Sequence, residues 1–386
     1  MKMKRIVIFA FALASIALTV GLLSCGRVVS VVSNGEMPQM MSEEIPIGVV
    51  VALTGQHAEP YGFPMQRGFE LAREEINSRG GVNLTFITVD DHSTPEGAKA
   101  AVQHLVDQGV PAIVGLAIST HLKAAAPIAQ ENRVIAFSSV SSAAGLSGIG
   151  NFIFRTSLAT NISIPSGVMV TQQKLGYQKV ATIYDEIDVY ARSSNEVLET
   201  VLAANGVEIL TQETFKTGDT DFSQQLMNIM AVEPDALFIS ALSQEIAQIV
   251  GQTSEVGFPD TLRVIAPDLT MDEVQKAGDG AEGTIGFIGW STTSDAPGNQ
   301  TFIENYRAKY GIEPEPWAAQ SYVTLHVLAN AIKIAQSADS TAIRDALAET
   351  KDFSTILGDF SFNPDGDALY DQIVLVVKDG EFQVLE

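Results

Sequence analysis

From Ile45 onward, short β-branched runs alternate with longer amphipathic stretches, and this alternation constrains the fold more than any other feature of the chain. The runs at 47–53, 84–89, 112–115, 134–137, 180–184, 236–240 and 263–266 read as strands. Between them the apolar spacing is helical: Met65, Phe69, Ala72 and Ile76 recur at intervals of three and four. Gly80-Gly81 ends that first helix, where a left-handed residue is wanted. Similar spacing predicts helices over 96–108, 122–131, 163–175, 191–204, 221–230, 244–256, 299–310 and 318–336. Strands alternating with helices predict an α/β protein with parallel sheets covered on both faces, not an all-β or all-α domain. The series runs twice, once to Arg155-Thr156 and again from Val180, so two doubly wound domains account for the 386 residues. Ligands of such sheets sit beyond the carboxyl ends of the strands, and two sheets facing each other make a cleft.

Composition narrows the chemistry. Acidic side chains number 46 against 23 basic, a formal charge of −23, so nothing here neutralises a run of phosphates and nucleic acid is excluded as a partner. A single cysteine excludes a disulfide within the chain and a thiolate metal site. The five histidines show no zinc-type spacing, and no cofactor or metal is expected.

Lys2, Lys4 and Arg5 precede an unbroken apolar run from Ile6 to Leu23. Its length, about 18 residues, suits either a membrane-spanning helix or a secretory signal peptide. The run ends in Leu22-Leu23-Ser24-Cys25, which resembles the bacterial lipobox, with 1–24 as signal peptide and Cys25 as the lipidated residue. Cleavage there removes the three basic residues and leaves 46 acidic against 20 basic side chains. Residues 25–44 are aperiodic and mixed in Ser, Gly, Met and Pro. They read as a flexible tether reaching roughly 25 Å, from which a lipid anchor would hold the body at a membrane surface.

Polar residues gather at the carboxyl ends of the predicted strands. Thr54-Gly55 and Tyr61-Gly62 follow the first, Ser119-Thr120 the third, and Ser138-Ser139-Val140-Ser141-Ser142 the fourth. In the second series come Asp185 and Tyr190, then Pro267-Asp268. Ser119 and Thr120 read as N-cap residues of the helix at 122, and a helix N-terminus with hydroxyls beside it also suits an anion. No glycine-rich phosphate loop is visible, so a single carboxylate fits better than a pyrophosphate. Asp268 alone reads as a solvated loop acid; across a cleft it would pair with a ligand cation.

Gly48-Val49-Val50, Leu53-Thr54-Gly55, Tyr61-Gly62, Gly68, Leu71-Ala72, Glu75-Ile76-Asn77 and Arg79-Gly80-Gly81-Val82 closely resemble the opening of branched-chain amino-acid ABC-transporter binding proteins. Phe154-Arg155-Thr156, Asp221-Phe222-Ser223, Phe302 to Tyr306, and Phe360 to Asn363 with Asp365-Gly366-Asp367 continue the likeness, which covers nearly everything from Ile45 to Glu386. The resemblance implies a type I periplasmic-binding-protein fold, two doubly wound lobes joined by three crossings near Thr160, Gly289 and Gly358. The N-terminal lobe is then 45–160 with 290–358, and the C-terminal lobe 161–289 with 359–386. It further implies that Ser119 and Ser142 bind a ligand carboxylate, and that the Val140 carbonyl and the Asp268 carboxylate take the ammonium. Tyr190 matches the tyrosine that follows the first strand of the second lobe, and Tyr61 matches an aromatic wall of the side-chain pocket. Trp290 and Trp317 either line that pocket or pack in the core or hinge. Two departures stand out. Leu242, beside Ser243, occupies the place of a tyrosine that reaches the amine in many members. The usual cysteine pair at the cleft is absent, His92, Ser93 and Ile118 lying near its places.

The implied protein is a monomeric lipoprotein that captures an aliphatic or branched-chain amino acid outside the cytoplasm and delivers it to an ABC permease with its ATPase. The same fold serves ligand sensors for a small amide, urea or carboxylic acid; an acid retained at Asp268 favours an amino acid. An enzyme would need a serine elbow, a metal set or a phosphate loop, and none is visible.

Overall fold

The computed structural model describes residues 44–259 and 261–385, so the expected signal peptide, Cys25 and nearly all of the tether lie outside the described residues. The first series is β1 (Glu44–Val51), α1 (Phe63–Arg79), β2 (Asn83–Asp90), α2 (Pro95–Asp107), β3 (Ala112–Gly115), α3 (Ser119–Glu131), β4 (Ile135–Ser138) and β5 (Ile153–Arg155). The second is α4 (Thr160–Leu175), β6 (Lys179–Asp185), α5 (Val189–Ala204), β7 (Glu208–Phe215), α6 (Ser223–Ala231), β8 (Ala236–Ser240), α7 (Ser243–Glu255), β9 (Arg263–Ile265), α8 (Met271–Ala277) and β10 (Ile285–Ile288). There follow α9 (Asn299–Tyr310), α10 (Pro316–Ala335), α11 (Ser340–Ala348), β11 (Phe353–Thr355), β12 (Gly358–Phe362), β13 (Ala368–Leu369), β14 (Ile373–Lys378) and β15 (Glu381–Val384).

β3 and β4 are buried along their whole length, which is why they read as unbroken apolar runs and not as alternating ones. Successive side chains still part to opposite faces. Val49, Val114 and Phe137 pack with Met65 and Phe69 of α1 and with Val323 of α10. Their neighbours Val50, Ile113 and Ala136 pack with Val102 of α2 and Leu122 of α3. The second sheet divides in the same way, Ile183 and Leu237 facing Leu226 and Ile249, while Val180 and Phe238 face Ile164 and Leu198.

The two sheets share one topology. Strand order is β2-β1-β3-β4-β5 in the first and β7-β6-β8-β9-β10 in the second, all parallel, with antiparallel β14 and β15 added beyond β10. The order therefore reverses between β1 and β3 and again between β6 and β8. These are the switch points at which crevices open beyond the strand ends.

The third crossing is expected near Gly358, but the chain crosses instead between Leu369 and Ile373. β12 pairs with β11 and β13 in a small sheet of their own, and Phe360, Phe362 and Ala368 lie in the first lobe's core. Two interactions hold this excursion there. Phe362 packs against Phe137 and Phe154 with ring centres 5.6 and 5.1 Å apart. Arg155, fully buried at the end of β5, donates through Nε to Asp367 Oδ1 at 2.9 Å and also through Nη2. Residues 359–369 thus pack with the first lobe, while Trp290 joins the first core and Ile164 the second.

Candidate ligand-binding cleft

All six residues singled out as ligand contacts line one cavity between the lobes. Tyr61, Ser119, Val140 and Ser142 come from loops and a helix of the first lobe, and Tyr190 and Asp268 from the second. The open space among the lining atoms, solvent at its mouth included, is about 360 Å³.

The serines reach it by a tight reversal after β3. Gly115 has φ 113° and Leu116 φ 53°, and a Cβ on Gly115 would stand 2.0 Å from the Val50 carbonyl oxygen, so only glycine fits there. Of the serine-rich stretch 138–142, most hydroxyls serve the loop itself. Ser138 and Ser141 donate to the Leu116 carbonyl at 2.9 and 2.7 Å, and Ser139 accepts from Thr324 at 2.9 Å. Ser142 lines the cavity. Ser119 lines it too, its Oγ accepting the Ala143 N–H at 3.2 Å. The expected capping role of Ser119 and Thr120 is corrected: α3 already begins at Ser119, and extended Ile118 is its N-cap with no side-chain cap. Both hydroxyls are thereby released for other partners.

Opposite stands Asp268, mostly but not wholly buried and the only acid or base among the cavity-lining residues besides the two tyrosines. It adopts φ 65°, a left-handed conformation that Asp tolerates better than most residues, and its N–H donates to Phe287 O of β10 at 3.2 Å. Burial pushes its carboxyl up to about 6, against a smaller opposing contribution from the Tyr190 hydroxyl. Tyr190 also donates to the Pro267 carbonyl at 3.4 Å, and burial first, then the Asp268 charge, raises its own pKa well above the phenolic range.

Apolar groups close the remaining walls: Ala117, Ala241, Leu242, Ile246 and the ring of Trp317, which lies tilted 5.8 Å from that of Tyr61. Leu242 thus faces the cavity, where it supplies methyl groups and no hydroxyl. Trp290 does not; it is buried in the first core with its indole donating to Asn299 Oδ1 at 2.6 Å. At the expected sites of the missing cysteine pair, Ser93 links two loops by hydrogen bonds, donating to Thr54 O at 2.7 Å and accepting the His57 N–H at 3.0 Å.

The lobes touch through hydrogen bonds of which no sequence pattern gives a sign. The Ser243 N–H donates to Tyr61 Oη at 3.0 Å. Thr120 Oγ1 donates to Asp188 Oδ2 at 2.8 Å and accepts the Val189 N–H at 3.0 Å. The other oxygen of Asp188 caps α5 by accepting from Ala191 N at 3.0 Å. Burial raises the pKa of Asp188, so its hydrogen bonds to Ala191 and Thr120 are what make its ionised form tolerable. Ser119 and Thr120 are consecutive residues, so one helical turn carries both a cavity hydroxyl and a bridge to the facing lobe. Among the described residues no cluster of three or more metal-type ligands occurs, and no helix is long and apolar enough to cross a membrane.

The chain is 25% identical over 334 residues to a leucine-, isoleucine-, valine-, threonine- and alanine-binding protein of Pseudomonas aeruginosa, covering 85% of this chain and 88% of that one. Among solved structures it is similar to the leucine-binding protein LivK of Thermotoga maritima, with 26% identity, a TM-score of 0.83, and coverage of 89% and 98%. It is likewise similar to the branched-chain amino acid transporter substrate-binding protein LivJ of Streptococcus pneumoniae in complex with isoleucine, with 28% identity, a TM-score of 0.82 and the same coverage. A benzoate complex from Rhodopseudomonas palustris, 20% identical with a TM-score of 0.81, shares the fold. The family model described as periplasmic binding protein matches residues 44–381, and the chain belongs to that family, as a solute-binding protein and not an enzyme.

Proposed function

We propose that this protein is the extracytoplasmic receptor of an ABC importer for a small aliphatic amino acid, held at a membrane by a lipid on Cys25. The observation that carries the proposal is a largely desolvated carboxylate, Asp268, sharing one interlobe cavity with Ser119 and Ser142. A buried acid without a cation is costly, and a zwitterion supplies that cation together with an anion for the serines. Each charge-assisted contact contributes about 1.5–3 kcal/mol net, and burial of an aliphatic side chain against Tyr61, Leu242 and Ile246 about 1.5–3 kcal/mol more. A carboxylic acid lacking an amine would meet Asp268 as a like charge.

Closure supports the same proposal. Two doubly wound lobes, 45–160 with 290–369 and 161–289 with 370–386, pivot on three crossings and shut on the ligand, which stabilises the closed state by binding both lobes at once. The permease and ATPase that would receive the ligand are the partners expected of an ABC receptor, and relatives named for leucine, isoleucine and valine favour that ligand class.

A thermal-shift screen tests it. Alanine, valine, leucine, isoleucine and threonine should raise the melting temperature, because they bind only the native state, and benzoate should not. Stabilisation by benzoate with no response to any amino acid would overturn the proposal.

A further inference from the structure

One residue of the cavity lining carries a buried polar group with no partner among the described residues. The chain has two tryptophans, and they differ in this respect. Trp290 donates to Asn299, whose amide is itself held by the carbonyls of Ser291 and Ser294 at 3.2 and 2.9 Å. Trp317, on the first turn of α10, lines the cavity, is 5% exposed, and its Nε1 has no acceptor among the described residues. No other cavity-lining residue has a buried polar side-chain atom left unpaired in this way among the described residues. Buried N–H groups without acceptors are rare in native proteins because each forfeits its hydrogen bond to water. The cavity lining also includes Ala117, Ala241, Leu242 and Ile246, none of which carries a polar side chain. The Tyr61 ring lies 5.8 Å from the indole.

Resting on the amino-acid reading of the site, we propose that Trp317 is a specificity-determining residue whose indole N–H binds an acceptor on the ligand side chain. The two poles of the zwitterion are engaged by the serines and Asp268, so the side chain is the part of the ligand left to meet the indole. The ligand class so selected is small amino acids carrying a β-hydroxyl, threonine before its isostere valine. The two differ only by a hydroxyl in place of a methyl. A site that hydrogen-bonds such a group rejects the analogue lacking it, whereas a purely apolar pocket discriminates weakly or prefers the methyl.

Titration calorimetry with L-threonine and L-valine tests this on the wild type and on Trp317→Phe. The wild type should bind threonine roughly tenfold more tightly than valine or better, and the variant should lose that preference or reverse it. An independent readout needs no variant. Protein labelled with 15N in its indoles gives two resonances, and threonine should shift that of Trp317 while leaving that of Trp290 in place; valine should shift neither comparably. Valine binding as tightly as threonine, a threonine-to-valine ratio unchanged in Trp317→Phe, or a Trp317 resonance indifferent to threonine would each overturn the proposal. Those are also the results expected if a buried water satisfies the indole. Binding of neither amino acid, with stabilisation by some other solute, would instead remove the amino-acid reading and this inference together.

Discussion

Replacing Asp268 with asparagine keeps the shape of the site and deletes its charge, and the structure predicts two effects of opposite sign. Burial raises the Asp268 carboxyl from 3.8 to about 6. At about 1.4 kcal/mol per unit of pKa, ionising it there costs about 3 kcal/mol more than in water. The neutral amide of the Asp268→Asn variant would bear no such cost, so without ligand that variant should melt higher than wild type near neutral pH. The ligand loses its charged partner, however, and an ammonium left without one weakens binding by about 2–5 kcal/mol, or roughly 30-fold to several thousand-fold in Kd. The pH dependence follows with its sign. The folded protein holds the Asp268 proton between about 4 and 6 while the unfolded chain releases it. This contribution to ligand-free stability is therefore full below about 4 and is lost as pH rises through 6. A ligand cation needs the ionised form, so affinity should fall about tenfold per pH unit below 6 in the wild type and stay flat in Asp268→Asn. Calorimetry between about pH 5 and 8, with melting curves of both proteins without ligand, reads all of this. Affinity in the variant within twofold of wild type, or the same pH slope in both, would refute the reasoning.

Thr120→Val removes the bridge to Asp188 and Val189 without touching a cavity-lining residue, so ligand release in stopped-flow should quicken about tenfold with little change in association, the worth of one to two hydrogen bonds. An unchanged release rate would show that the bridge does not hold the lobes together. Arg155→Met leaves Asp367 buried without its cation and should lower unfolding free energy by about 3–5 kcal/mol in guanidinium titration; a loss under about 1 kcal/mol would contradict a structural role for the pair. Cys25→Ala should release the protein from membranes into the soluble fraction and abolish incorporation of labelled fatty acid, whereas retention at the membrane would disprove the lipid anchor.

What the sequence disclosed was what short-range pattern encodes. The strand at Ala112–Gly115 and the strand at Ala236–Ser240 are runs buried on both faces, so their ends are plain in the sequence, and the loops that follow them could be searched for polar residues. β7 has no apolar run to mark it because it is an edge strand, half-exposed and polar along much of its length. Neither β12 nor β13 has a pattern of its own; their place depends on Phe362 meeting Phe137 and on Arg155 meeting an aspartate 212 positions away. The same limit hid Thr120. A hydroxyl before a helix suggests a cap, and only the approach of α5 from the other lobe gives it Asp188 as a partner. Asp268 was legible by its place after a strand, yet its left-handed backbone and its burial are products of tertiary packing.

The central claim is that the cavity recognises both poles of a zwitterion, and deleting one pole from the ligand tests it more directly than any change to the protein. L-Valine and 3-methylbutanoate share carboxylate and hydrocarbon and differ only by the ammonium. Calorimetry at neutral pH should show valine binding and 3-methylbutanoate weaker by roughly a hundredfold or more, since its anion faces Asp268 with no cation between. Equal affinity for the two would contradict the account.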